Sequence, residues 1–106
     1  MDYVKRVGDF TGIREEKFYK TTLFRSEAIL LGLNCLEPGQ EQSPHQHSDQ
    51  DKFYYVVEGI GRFWLGEDRV EAGVGEVVWA PAGLIHGVTN EGQERLTLLV
   101  GIAPAP

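Results

Sequence analysis

What most limits the folds open to this chain is its punctuation. Short runs rich in Val, Leu, Phe, Tyr and Trp are broken every few residues by Gly, Pro and acidic turn residues. Runs of this length and composition fit strands better than helices. The spacing predicts strands over residues 18–25, 28–36, 53–57, 62–65, 70–72, 76–79, 85–89 and 96–102. Glu37-Pro38-Gly39-Gln40, Glu58-Gly59-Ile60-Gly61 and Gly66-Glu67-Asp68 supply turns between them. Residues 12–17 carry the one weak helical pattern, and it is too short to stand alone. A series of short strands points to an all-β sandwich or barrel, and a closed barrel removes the exposed edges so many strands would create. Phe53-Tyr54-Tyr55-Val56-Val57 is apolar on both faces. One face is expected to line the interior, and the other needs cover from the N-terminal segment, residues 1–26, or from a second subunit.

The length of 106 residues matches one domain, and no linker or internal repeat divides it. The apolar share of 42% is enough for a packed core and argues against disorder. A formal net charge of −6 opposes non-specific nucleic-acid binding. No apolar run approaches the roughly 18 residues of a membrane span. No signal peptide is visible, and the one cysteine, Cys35, cannot pair within the chain. These features predict a cytoplasmic protein with no nucleic-acid or membrane partner. Cys35 reads as a small buried hydrophobe, the glycines as turn residues, and the tail 103–106 as loose.

The chemistry lies with three histidines. His45 and His47 are two apart, which puts both imidazoles on one side only if the segment is extended. Pro44 favours that geometry at its entry. His86 follows the turn Pro81-Ala82-Gly83 and opens a short apolar run. Each histidine alone reads equally well as a hydrogen-bonded core or rim residue.

The pattern around them resembles the two motifs of the cupin superfamily. The first is Gly39, His45, His47 and Gly59; the second is Gly75, Pro81, Gly83, His86 and Asn90. Every defining position is kept except one, where Lys52 stands in place of the expected Glu. The matching stretch runs from 39 to 90, about half the chain. The resemblance implies a cupin double-stranded β-helix, a jelly-roll barrel of six or eight strands, with a metal near its mouth. Carried over by position, His45, His47 and His86 are the implied metal ligands, and neutral imidazole suits Fe, Mn, Ni, Zn or Cu. The resemblance also implies a homodimer.

Lys52 is the informative departure. It shares a strand phase with Tyr54 and Val56, so it faces the interior if they do. An ammonium about 4 Å from a unit charge costs about 4 kcal/mol at an effective dielectric near 20, and a divalent ion roughly doubles that. A charged Lys52 therefore does not replace the carboxylate as a ligand. Four outcomes stay open. Lys52 points out to solvent and leaves a three-histidine site. Gln50 or Asp51 swings in as a fourth ligand. Asp49, Asp51 or an anionic substrate neutralises Lys52, which then anchors that substrate. Or the metal is lost and the site binds an anion. Tyr54 and Trp79 read as core aromatics that can also line the pocket.

Two functions follow, beside a third reading in which the domain is a structural remnant whose histidines are satisfied without metal. One is a metal-dependent enzyme of dioxygenase, decarboxylase or isomerase type acting on a small polar or anionic molecule. The other is a non-catalytic module binding a small ligand, with or without metal.

Overall fold

The computed structural model describes residues 2–106 and contains nine strands, all paired antiparallel. In chain order they are β1 (Tyr19–Arg25), β2 (Leu30–Leu36), β3 (Glu41–His45), β4 (Asp51–Glu58), β5 (Ile60–Leu65), β6 (Asp68–Gly73), β7 (Val77–Ala80), β8 (His86–Thr89) and β9 (Leu96–Ala103). They form a five-stranded sheet, β1-β2-β9-β4-β7, and a four-stranded sheet, β3-β8-β5-β6. The strand β3 is an addition to the eight read from the sequence. Its sequence, Glu-Gln-Ser-Pro-His, has no apolar alternation, so tertiary pairing with β8 makes it a strand. The weak helical pattern at 12–17 forms no helix; the only helical turn among the described residues is the 3-10 segment Val7–Phe10. Among the described residues no helix is long and apolar enough to cross a membrane.

The two sheets face each other across one apolar core. β4 shows how: Lys52, Tyr54 and Val56 are buried, while Asp51, Tyr55 and Glu58 are exposed. From β9, Leu96, Leu98 and Val100 enter the same space, and Phe63 and Val88 meet them from the opposite sheet. The Tyr54 and Phe63 rings sit 5.1 Å apart across the gap, a favourable tilted contact. Cys35 is buried and free, as its apolar strand implies.

The N-terminal segment lies along the first strands. The Lys5 ammonium donates to the Leu23 carbonyl at 2.6 Å and sits over the Phe24 ring at 4.7 Å. Gln40 Nε2 donates to the Arg14 carbonyl at 2.6 Å.

Residues 39 and 90, at the two ends of the motif stretch, are neighbours in space. Gly39 N–H donates to the Asn90 carbonyl at 2.8 Å, and Asn90 N–H donates to the Gln40 carbonyl at 3.0 Å. The Asn90 side chain is fully buried. It donates to the Leu36 and Glu94 carbonyls and accepts from Gly92 N–H. That asparagine is a structural clasp, holding the loop between β8 and β9 to the end of β2.

Candidate metal centre and adjoining cavity

β3 and β8 bring the histidines together. Their register pairs His45 directly with His86, after a bulge between Gln42 and His45. The close approach depends on Gly87: a Cβ there would stand 2.7 Å from the Gln42 carbonyl oxygen and 2.9 Å from Pro44 N. β3 ends at His45, so His47 belongs to the following loop rather than to an extended strand. The loop is laced to the turn before His86. Gly83, at φ +85°, donates its N–H to the His47 carbonyl at 2.8 Å and accepts from Gln46 Nε2 at 2.9 Å. The left-handed backbone at position 83 favours glycine, which explains that motif position physically.

The ring centres stand 4.4 Å apart for His45 and His86, 4.9 Å for His45 and His47, and 6.1 Å for His47 and His86. Imidazoles sharing one ion at a metal–nitrogen distance of about 2.1 Å, with bond angles near 90–110°, place ring centres roughly 4.5–5.5 Å apart. Two of the three pairs lie at or within a few tenths of an ångström of that range. The third is too wide, and among the described residues no set of three His, Cys, Asp or Glu closes into an arrangement that would hold a metal ion. His47 is exposed, so a turn of its side chain is what closure requires.

The hydrogen bonds set the tautomers. His45 Nδ1 is 2.9 Å from the Ser43 carbonyl, and His86 Nδ1 is 3.0 Å from the Leu84 carbonyl. A carbonyl only accepts, so each Nδ1 carries the proton and each Nε2 presents a lone pair. Burial lowers the pKa of His45 and pushes that of His86 down to about 4, with the backbone bonds opposing and neighbouring charges adding. Both rings are therefore neutral at pH 7. The His86 ring is 2% exposed, and its Nε2 is buried with no hydrogen-bond partner. An unpaired buried acceptor costs about 1–3 kcal/mol. A backbone carbonyl holding Nδ1 while Nε2 stays free is the outer-shell arrangement found behind metal-binding histidines. The chemistry of His45 and His86 thus suits a divalent transition metal, and the third donor, His47, has to turn inward to complete the set.

The fourth-ligand candidates are engaged elsewhere. Asp51 Oδ1 accepts from Ala82 N–H at 2.8 Å, capping the turn before His86. Gln50 Nε2 donates to the Pro104 carbonyl at 3.2 Å. Lys52 does not point out of the barrel: the residue is 5% exposed, with its ammonium 4.7 Å from the centre of the Tyr54 ring and open to the adjoining cavity. No hydrogen-bonding or ion-pair partner meets that ammonium among the described residues, so neither Asp49 nor Asp51 neutralises it. Burial, then the nearby Lys20 charge, lowers its pKa to about 8. Tyr54 is fully buried and donates its hydroxyl to Gln42 Oε1 at 2.6 Å. It is a core residue rather than a pocket wall. Trp79 corrects another expectation: it is 55% exposed on the outward side of β7 and does not line the cavity that Lys52 lines.

A cavity of about 440 Å³ opens on the inner face of the larger sheet, lined on its polar side by Lys20, Arg25, Asn34, Gln42 and Lys52. Sequence reasoning missed four of these five. The available signal was a phase argument: Lys20 pairs with Asn34, and Arg25 with Leu30, so each cation shares the inward face of its partner.

With this geometry in place, comparison with known proteins assigns the family. The cupin-domain pattern matches residues 32–102. This chain belongs to the cupin family. The protein TT1209 from Thermus thermophilus is similar in structure, with a TM-score of 0.94 at 39% identity over 97% of this chain and 98% of that one. An uncharacterised Streptomyces coelicolor protein is 30% identical over 76% of this chain and 75% of its own length. A predicted oxalate decarboxylase of Thermotoga maritima has a TM-score of 0.76 at 25% identity, over 81% of this chain and 79% of that one.

Proposed function

We propose that this cupin binds one divalent transition metal through His45, His47 and His86 and acts on a small polar or anionic molecule held in the adjoining cavity. The observation that carries this reading is the buried Nε2 of His86, free of any partner and flanked by the His45 ring at 4.4 Å. The metal would supply a Lewis acid with open positions for substrate oxygens. The chain's own part is to fix two rings by their Nδ1 bonds and to place the cavity's cations beside them. The similarity to a predicted oxalate decarboxylase supports small-acid chemistry without naming the reaction.

A second reading, a non-catalytic ligand-binding cupin, is favoured by Lys52. A lysine where a carboxylate is expected removes the obvious acid–base group. Oxygen consumption by the Fe(II)-loaded protein across small acids and thiols separates the two. Turnover abolished by His86→Ala supports the enzyme; silence across the panel with metal bound supports the binding module.

The protein is also proposed to pair as a homodimer through the outward face of β4 and β7. Tyr55 and Val77 pair there beside Trp79, and they are 38%, 63% and 55% exposed. Light scattering at micromolar concentration should give twice the chain mass of 11.8 kDa. A single-chain mass would end that part.

A further inference from the structure

We infer that the cavity on the inner face of β1, β2, β9 and β4 is a binding site for a small organic carboxylate, held between Lys52 and Lys20, with its hydrocarbon body on Leu30, Val100 and Ile102.

Charge argues first. The chain carries a net charge of −6, yet this cavity is lined by Lys20, Arg25 and Lys52 and by no acidic side chain. Acidic residues outnumber basic ones 16 to 10 over the chain, so a wall with three cations and no Asp or Glu runs against the composition. Pro106 also lines it and its oxygen accepts from Arg25, which leaves Lys20 and Lys52 as the cations without a partner among the described residues.

Burial argues second. Lys52 is 5% exposed and reaches the cavity without a carboxylate partner. Holding an ammonium at the wall of a largely enclosed cavity without a counter-charge is costly, and a retained charge in such a place normally has a partner. The Tyr54 ring face offers partial compensation only. Every other inward position on β4 is apolar or aromatic, so Lys52 is not there for packing. A carboxylate entering the cavity would supply the absent counter-ion in a low-dielectric setting, where a charge-assisted hydrogen bond is strongest.

Shape argues third. Across the sheet, Arg25, Leu30, Ile102 and Lys52 stand in one row of paired strands. A charged head at Lys52 therefore lies next to an apolar floor, whose far rim is Arg25, already donating to the Pro106 oxygen, so Lys20 is the second cation open to a ligand. Asn34, 5% exposed, and Gln42 add amides for further oxygens. A bare inorganic anion would use the cations and leave Leu30, Val100 and Ile102 uncovered. The volume is in the range of small-molecule sites. Gln42 also joins the cavity to the histidines, because it precedes the bulge that aims His45. The carboxylate is thus assigned as the substrate class of the metal site, a link that rests on that reading, whereas the binding itself does not.

The test is isothermal titration calorimetry of chelator-treated, metal-free protein with succinate, acetate, succinamide and sulfate. Succinate and acetate should bind saturably, sulfate more weakly, and succinamide not at all. Lys52→Met should weaken succinate by at least about tenfold, and the exposed Lys20→Gln by roughly threefold or more. Lys52→Arg should retain binding, and circular dichroism checks that each variant is folded. Absence of binding by both carboxylates, sulfate binding as tightly as succinate, or unchanged succinate affinity in folded Lys52→Met would each overturn the inference. Succinate binding by a protein that takes up no metal would leave the carboxylate site standing and remove the metalloenzyme reading. Metal uptake without carboxylate binding would do the reverse.

Discussion

Replacing Lys52 by methionine should stabilise the metal-free protein near neutral pH. The side chain is 5% exposed, and its pKa falls from the ordinary 10.5 to about 8, mainly through burial. At about 1.4 kcal/mol per unit, that displacement corresponds to a folding penalty on the order of 3 kcal/mol for the charged form. The Tyr54 contact at 4.7 Å returns about 1 kcal/mol, so the net gain from Lys52→Met is about 2 kcal/mol. Methionine fills a similar volume without a charge. The pH dependence follows from the direction of the shift. Below pH 8 the lysine is charged in both states and the whole penalty is present. Between pH 8 and 10.5 the folded state gives up its proton while the unfolded chain keeps it, so wild-type stability rises through this group. Above 10.5 both are neutral and the penalty is gone. Urea unfolding of both proteins at pH 7, 9 and 10.5 should therefore show a gap that is widest at pH 7 and closes with rising pH. A variant less stable than wild type at pH 7, or a gap independent of pH, would refute the view of Lys52 as a buried, uncompensated cation.

Other perturbations follow from the same contacts. Asn90→Ala should cost about 2–4 kcal/mol in urea unfolding, because it strips partners from the Leu36 and Glu94 carbonyls and from Gly92 N–H. Tyr54→Phe should cost about 1–2 kcal/mol, because Gln42 Oε1 loses its donor, and the same unfolding measurement checks it. Removing metal from loaded protein with a chelator should lower stability by about 3 kcal/mol at a free concentration 100 times the dissociation constant. An unshifted midpoint in differential scanning fluorimetry would count against a native-state metal.

Eight of the nine strands were legible because their apolar residues alternate between turn residues. β3 was not, because its strand character comes from pairing with β8 rather than from its own side chains. The convergence of His45 and His86 was legible only through the motif, since spacing alone says nothing about which strands pair. The loop position of His47 was hidden for the same reason: a two-residue spacing fits a strand, but β3 ends one pair too soon. Lys52 was read correctly for phase. Its lack of any partner was not readable, because Asp51 next to it is drawn to the backbone of Ala82. Trp79 misled because an aromatic on a strand reads as core, while the alternation of β7 turns it outward. The cavity cations were missed because Lys20 and Arg25 look like surface residues until their register partners, Asn34 and Leu30, are known.

Direct titration of metal-free, untagged protein with Fe(II), Mn(II), Ni(II) and Zn(II), read by elemental analysis after dialysis, bears most closely on the three-imidazole centre. One ion retained per chain, lost in His86→Ala and in His47→Ala, is the predicted result. Retention of the same ion by both variants, or no stoichiometric retention by wild type, would contradict it.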